Sequence, residues 1–339
     1  VELINLFESF TMTQYQYDVT AIGNAIVDML SQTDDGFLHD QSLNKGTMTL
    51  IDQQTAKNLF EIAGTLTQQS GGSAANTIAG IASFGGKCAY IGKVSDDELG
   101  NVFRHDLVSQ GVDYDTKPGD DTLPPTACCM IFITPDAERT FATYLGVSTE
   151  LAPDDLDARK IQQAKVTYLE GYLFDKELAK EAFNAAAMIA HMAGSQVALT
   201  LSDPFCVQRH RTDFLKLIDG HIDILFANEQ ELLTLYETGD IDAAIEKVSQ
   251  SVAVCAITQG AKGATIVMEG QKYFVPAMHV ENVVDTTGAG DLFAAGFLYG
   301  YTRDLTPQEC GLLGVKAAAE IITHVGARPQ KQLKTLLAA

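Results

Sequence analysis

From residue 166 to the C-terminus, apolar and polar positions alternate in two rhythms. Short apolar runs at 166–170, 197–201, 222–226, 252–257 and 264–268 are bounded by polar or glycine turns and read as buried strands. Between and after them, apolar residues recur at helical spacing over 176–192, a short 213–217, 229–236, 241–250, 289–300 and 307–324. Strands alternating with helices predict an α/β fold built on a doubly wound, mainly parallel sheet covered on both faces.

The N-terminal half is less regular. Residues 17–23 form a short apolar strand ending at Gly23, so Asn24 and Asp28 are expected just past its C-terminal end, where ligands of open α/β sheets sit. Residues 29–52 are irregular and polar and read as a small β excursion. Helix-period positions follow through Leu66, and Ser70-Gly-Gly-Ser-Ala-Ala-Asn76 opens another helix. Gly85 and Gly86 end it before a strand at 88–92, and Asp96-Asp-Glu-Leu-Gly100 caps a helix running to about Gln110. A strand at 126–134 turns at Pro135-Asp136 into a hairpin partner at 138–145. The expected organisation is a large α/β domain from 12–28, 53–111 and 146–339, with a β lid from 29–52 and 112–145. Residues 1–11 read as a leader ahead of a start at Met12.

Composition narrows the class. Of 339 residues, 46% are hydrophobic, enough for a sizeable core, and no run of 18 apolar residues predicts a membrane-spanning helix. The formal charge of −21 argues against nucleic acid or an anionic membrane as partner. The six cysteines have no C-x-x-C or metal-ligand spacing and read as reduced, mostly buried thiols of a cytoplasmic protein.

Candidate chemistry lies at glycine turns. Gly288-Ala-Gly290 leads into an apolar helix, whose unpaired first N–H groups would make an anion site at the positive end of the helix dipole. Asp291 in that first turn either complements the dipole or acts as a general base beside the anion. Gly71 and Gly72 offer a close backbone approach, with Asn76 as donor and acceptor, or simply cap their helix. Asn228 and Glu231 share a face one turn apart, either as a capping box or as a water-mediated Mg²⁺ shell. Thr258-Gln-Gly260-Ala-Lys-Gly263 is a glycine hairpin turn that could run along nucleotide phosphates. Arg139, the strong cation of the lid, is either surface-exposed or a phosphate clamp. Gly80-Ile-Ala-Ser-Phe-Gly-Gly-Lys-Cys88 imitates a P-loop, but its spacing is wrong and Cys88 replaces the metal-binding hydroxyl. No G-x-G-x-x-G follows the first strand, which counts against a dinucleotide-binding oxidoreductase.

Asp285-Thr-Thr-Gly-Ala-Gly-Asp291 resembles the C-terminal motif of the PfkB (ribokinase-like) carbohydrate and nucleoside kinases. The glycine-ended first strand with Asp28, the Gly-Gly-x-x-x-Asn turn, the two-segment lid, the Asn-x-x-Glu pair and the Thr-x-Gly-x-x-Gly turn extend the resemblance over about residues 17–328. It implies a three-layer α/β/α sandwich with a small β lid, and Asp291 as catalytic base. Gly288, Ala289 and Gly290 would form the anion hole and Arg139 the phosphate clamp. Asn24, Asp28, Gly71, Gly72 and Asn76 would bind the acceptor, and Asn228, Thr258, Gly260 and Gly263 would line ATP. Glu231 would hold Mg²⁺ through water, and Asp285 with Thr287 would take K⁺. Ile22-Gly-Asn-Ala-Ile-Val-Asp28, Gly71-Gly-Ser-Ala-Ala-Asn76 and 199–205 followed by 223–229 are similar to adenosine kinases. That similarity implies transfer of the γ-phosphate of ATP to the 5′-hydroxyl of adenosine, by a monomer or homodimer. The lid stretch 138–145 is also close to sugar kinases of the same family, which keeps a fructose- or ribose-type acceptor open. A non-catalytic sensor would keep the pocket but not need Asp291.

Overall fold

The structure, a computed structural model, describes residues 15–136 and 138–338, so the leader expected at 1–11 lies outside it. Its strands are β1 Tyr17–Ile22, β2 Ile26–Gln32, β3 Met48–Leu50, β4 Thr67–Gly71, β5 Cys88–Ile91, β6 Ala127–Ile133 and β7 Arg139–Tyr144, followed by β8 Ala164–Glu170, β9 Gln196–Thr200, β10 Ile224–Asn228, β11 Val254–Thr258, β12 Gly263–Met268 and β13 Gln271–Pro276. They form an eight-stranded sheet, β13-β12-β11-β10-β9-β8-β1-β5, and a five-stranded sheet, β3-β7-β6-β2-β4.

The large sheet is parallel from β5 to β11 and closes with two antiparallel strands. Side chains alternate across each strand, and both faces are buried, as a parallel sheet requires. Val19, Ala21, Tyr168, Ala198, Ile224 and Phe226 pack with residues of the helices Ser73–Phe84, Ala289–Tyr301 and Pro307–Ile321. Their neighbours Ile22, Leu169, Val197, Leu199, Leu225 and Ala227 join a second core with the helices Glu177–Met192, Pro204–His221, Glu229–Tyr236 and Ile241–Val248. Each fully buried Leu, Ile, Val or Phe contributes roughly 1.5–3 kcal/mol. The result is the expected three-layer sandwich, with the C-terminal ends of β1 and β8–β11 opening toward one edge.

Two elements depart from the sequence pattern. The helix expected at 213–217 starts at Pro204, capped by the Asp203 side chain accepting from the Cys206 N–H at 2.7 Å. The polar run Gln208-Arg-His-Arg-Thr212 hides its helical period, and its backbone breaks at His210. The edge strand β13 begins with exposed Gln271 and Lys272, which carry no alternating apolar signal.

The small sheet is larger than the two lid segments expected. β4 lies within 53–111, assigned from sequence to the large layers, yet it pairs with β2 in the small sheet, with Asp28 opposite Gln69 and Ile26 opposite Gly71. Its sequence, Thr-Gln-Gln-Ser-Gly, is polar, so backbone pairing rather than an apolar face makes it a strand. Asp28 consequently lies within β2, not in a turn after β1. Conversely, Asp113 bonds to the β5 backbone and Tyr114 is buried in the large core, so the start of 112–145 belongs beside the large sheet. One face of the small sheet, with Met29, Cys128, Met130 and Phe132, packs on Leu38, Ala56 and Leu59 of the helices Asp35–Asp40 and Gln53–Ile62. By alternation, Asp28, Cys129, Ile131 and Phe141 face the opposite way. All six cysteines are buried and unpaired. Among the described residues no helix is long and apolar enough to cross a membrane.

Candidate active site

The Ala289–Tyr301 helix starts at Gly288 with φ +78°, a left-handed conformation in which a Cβ would also come within 2.8 Å of the Ala327 Cβ. Ala289 N–H closes a turn onto the Thr286 carbonyl at 3.2 Å, and Leu292 N–H takes the Gly288 carbonyl. Gly290 and Asp291 are thus the first-turn residues whose N–H groups have no intrahelical acceptor. Of the three residues expected at an anion hole, Gly290 leaves its N–H without an intrahelical acceptor, Ala289 uses its own in the turn, and Gly288 shapes that turn.

Asp291 is held from outside its own helix. Ser73 Oγ donates to its Oδ1 at 2.6 Å and Asn76 Nδ2 donates to its Oδ2 at 2.8 Å. Both donors come from the first turn of the Ser73–Phe84 helix. Burial pushes the Asp291 carboxyl above the ordinary aspartate range, opposed by those two hydrogen bonds and by the Arg328 charge. Asn76 Oδ1 is buried with no hydrogen-bond partner. It belongs to a cavity of about 390 Å³ that also exposes Asp28, Gly72, Ser73 and Asp291.

Asp28 reaches this cavity from the middle of β2. Gly71 makes room for it, since a Cβ there would lie 2.4 Å from the Asp28 carboxyl. Gly72, at φ +91°, brings its backbone within contact of the Asn24 carbonyl, where a Cβ would sit 2.3 Å away. Burial raises the Asp28 carboxyl to about 7, with Arg328 and Arg139 pulling the other way. Arg139 is not a surface residue. Its side chain is 10% exposed and pairs with Asp285 at 2.7 Å, crossing from the small sheet to the loop that opens the Asp291 helix. Its Nη1 also donates to Thr287 Oγ1 at 3.3 Å.

Asn24 does not face the cavity. Its Nδ2 donates to Glu170 Oε1 at 2.9 Å and its Oδ1 accepts from Ser148 Oγ at 2.8 Å, so both ends are used inside the protein. Glu170, raised to about 7 by burial, also accepts from the Ala74 N–H at 2.8 Å. Asn24 therefore supports the Ser73 helix start through Glu170.

Asn228 and Glu231 form a complete capping box: Glu231 N–H donates to Asn228 Oδ1 at 2.8 Å, and Asn228 N–H to Glu231 Oε2 at 2.9 Å. Both line the same cavity as Asp291. Burial raises Glu231 to about 7, and the charges of Asp203 and Asp291 push the same way. Glu231, with only the acids Asp203 and Asp291 among the charges acting on it, suits Mg²⁺ held through water and phosphate oxygens, the way this ion is usually bound. Among the described residues no three acidic, histidine or cysteine side chains converge for direct chelation. The K⁺ expectation for Asp285 and Thr287 fits less well. Asp285 Oδ1 accepts from Thr287 N–H at 3.0 Å, while Oδ2 accepts from Gly326 N–H at 2.8 Å and pairs with Arg139. The carboxylate is already neutralised by a guanidinium.

A second cavity, about 580 Å³, lies on the other side of Ala289–Gly290. Thr258, Gly260 and Gly263 line it, opposite an apolar wall from Val280, Val315, Ala318 and Ile322. The two cavities share Thr258, Thr286, Ala289, Gly290 and Phe293. Asn228 opens on the first cavity. Two chambers meeting at a helix N-terminus, one polar with three carboxylates (Asp28, Glu231 and Asp291) and one with an apolar wall, can pass an anion from a ligand in one to a hydroxyl in the other.

Sequence reasoning missed Ser73, Glu170 and Arg328. The i, i+3 spacing of Ser73 and Asn76 was a readable signal that both side chains leave one helix face. Glu170 and Arg328 had none, because their partners are remote in sequence.

A profile of the pfkB family carbohydrate kinases matches residues 46–333. The crystal structure of adenosine kinase from Sinorhizobium meliloti is 49% identical with a TM-score of 0.89, covering 95% of this chain and 98% of that one. A probable sugar kinase from Rhizobium etli is 47% identical with a TM-score of 0.89, covering 96% and 98%. An Escherichia coli fructokinase is 29% identical over 76% of this chain and 90% of its own length. The chain belongs to the pfkB family of carbohydrate kinases, phosphotransferases that act on hydroxyl groups.

Proposed function

We propose that this kinase transfers the γ-phosphate of ATP to the 5′-hydroxyl of adenosine. The observation that carries the reading is the two-sided acceptor cavity. Its polar pole holds Asp28, the unpaired Asn76 carbonyl and Asp291, suited to a ribose. Its other wall is Cys129, Ile131 and Phe141 from the small sheet, an apolar and aromatic surface suited to the face of a purine. The likeness to an adenosine kinase over nearly the whole chain supports the same acceptor.

In this reading Asp28 and Asn76 grip the ribose hydroxyls and turn the 5′-oxygen toward Asp291. Asp291 accepts its proton as the oxygen attacks phosphorus. Gly290 and Asp291 N–H groups, with the positive helix end behind them, take the charge on the transferring phosphoryl oxygens. Thr258, Gly260, Gly263 and the apolar wall bind ATP. Glu231 would hold Mg²⁺ through water, which would supply positive charge against the phosphates. Arg139, paired with Asp285, ties the small sheet to the loop that opens the Asp291 helix. The small sheet keeps water out, so ATP is spared hydrolysis.

A sugar acceptor is the second reading, favoured by the fructokinase and sugar-kinase relatives. Coupled ADP production with Mg·ATP, comparing adenosine, other nucleosides, fructose and ribose, separates the two. Adenosine should exceed every sugar in kcat/KM by at least ~10²-fold, the usual discrimination when a pocket's hydrogen bonds and apolar face are both used. A sugar as the best acceptor would overturn the adenosine reading.

A further inference from the structure

The segment Gly326-Ala-Arg328 touches every part of the site without lining it. Gly326 N–H bonds Asp285, and Ala327 packs on Gly288. Arg328 Nη2 donates to Ser70 Oγ at 2.8 Å, its Nε to the Ser70 carbonyl at 3.2 Å, and its Nη1 to the Ala75 carbonyl. Ser70 and Ala75 straddle the turn that presents Gly71, Gly72 and Ser73. Ser70 is itself tied to Asp106 through its hydroxyl. One guanidinium thus staples the acceptor turn to the chain that also braces the anion-binding helix start.

Arg328 also acts on the two site carboxylates. The charged and titratable groups acting on Asp291 include Arg328, Asp28, Glu170, Glu231, Tyr168 and Tyr172. Arg328 is the cation among them. On Asp28 the charges are Arg328, Arg139 and Asp291, with the Cys129 thiol close by. Arg139 is engaged with Asp285, whereas Arg328 hydrogen-bonds only neutral oxygens and lies among three carboxylates, Asp106 acting on it most strongly, then Asp28 and Asp291, with the Tyr90 hydroxyl also near.

We propose that Arg328 is a positioning residue of the phosphoryl-transfer site. It fixes the Ser70–Ala75 turn and supplies positive charge that opposes the burial of Asp28 and Asp291, the two acids that line the acceptor cavity. It does not touch the acceptor or the phosphates. The proposal rests on the reading of Asp291 as base.

The test compares Arg328→Lys, Arg328→Gln and Ser70→Ala. The Asp291 carboxyl is followed by ¹³C NMR in ligand-free protein, assigned with Asp291→Asn, and the acidic limb of kcat/KM is measured with the best acceptor. Arg328→Gln should move both the carboxyl titration and the acidic limb upward by about one pH unit, the usual effect of an opposite charge. Arg328→Lys, which keeps the charge but not the fork, should restore most of that shift while acceptor KM stays raised. Ser70→Ala, which keeps the charge, should leave the titration in place. An unmoved titration in folded Arg328→Gln, or a shift of the same size in Ser70→Ala, would overturn the proposal. If Arg328→Gln does not fold, a titration in Arg328→Lys displaced upward by a full unit would overturn it equally. A fully active Asp291→Asn would remove the base assignment instead, whatever the titration shows.

Discussion

The two chambers on either side of Ala289–Gly290 are built in opposite ways. The proposed donor side is made of glycine turns and mostly apolar side chains, with no acidic or basic side chain but His279, all contributed between Thr258 and Ile322. The acceptor side gathers side chains from many separated stretches, among them Asp28, Ser73 with Asn76, Cys129 with Ile131 and Phe141, Tyr172, Asn228 with Glu231, and Asp291. It is also where the buried carboxylates sit. A nucleotide binder of turns and apolar walls can be shared by many kinases, whereas an acceptor site assembled from distant segments can change its substrate through one of them. On the proposed reading, chemistry lies at the junction and specificity in the small sheet.

Substitutions should therefore separate the sides. The largest effect belongs to the junction. Asp291→Asn should lower kcat ~10²–10⁴-fold, the usual contribution of a general base, while ATP affinity measured by calorimetry stays near normal. Asp28→Asn should lower kcat/KM for the acceptor by roughly 10–100-fold, through loss of a charge-assisted hydrogen bond of about 1.5–3 kcal/mol, with the KM for ATP unchanged. Phe141→Ala should be smaller still, raising the KM for adenosine about 5–20-fold by removing apolar contact and leaving turnover of a poor sugar acceptor unaltered. Equal effects of Phe141→Ala on adenosine and fructose would erase the distinction between polar pole and apolar wall.

The smallest effect is on stability. Asp28, Glu170 and Glu231 titrate near 7 when folded, above their ordinary values of 3.8 and 4.5. Between pH ~4 and ~7 the folded chain keeps protons that the unfolded chain releases, so their contribution to stability is lost as pH rises through that window. The Tm of ligand-free protein should fall more steeply from pH 5 to 8 in wild type than in Glu231→Gln. Mg·ATP should reduce the difference by placing positive charge near Glu231.

The same contrast decides what could be read from the chain. The glycine turns, the helix start at Asp291 and the strand–helix rhythm were legible because they are local patterns. The helix over Glu229–Tyr236 and the hairpin of β6 and β7 appear where their periodicity puts them. Acceptor-side geometry was less accessible. Asp28 read as a turn residue because β4, the strand that pairs it into the small sheet, has a polar sequence. Asn24 read as a ligand because nothing local reveals Glu170 and Ser148 on either side of it. Arg139 left two readings open until Asp285, far along the chain, appeared opposite it. Long-range partners of buried polar groups leave no periodic trace in sequence.

The most direct measurement is ³¹P NMR of the protein with Mg·ATP and an equimolar mixture of adenosine and fructose. Adenosine phosphorylated at the 5′-oxygen should accumulate with ADP in equal amounts, with no sugar phosphate until adenosine is exhausted. Fructose phosphate appearing first, or ATP remaining unconsumed, would contradict the assignment of the two-sided cavity to a nucleoside.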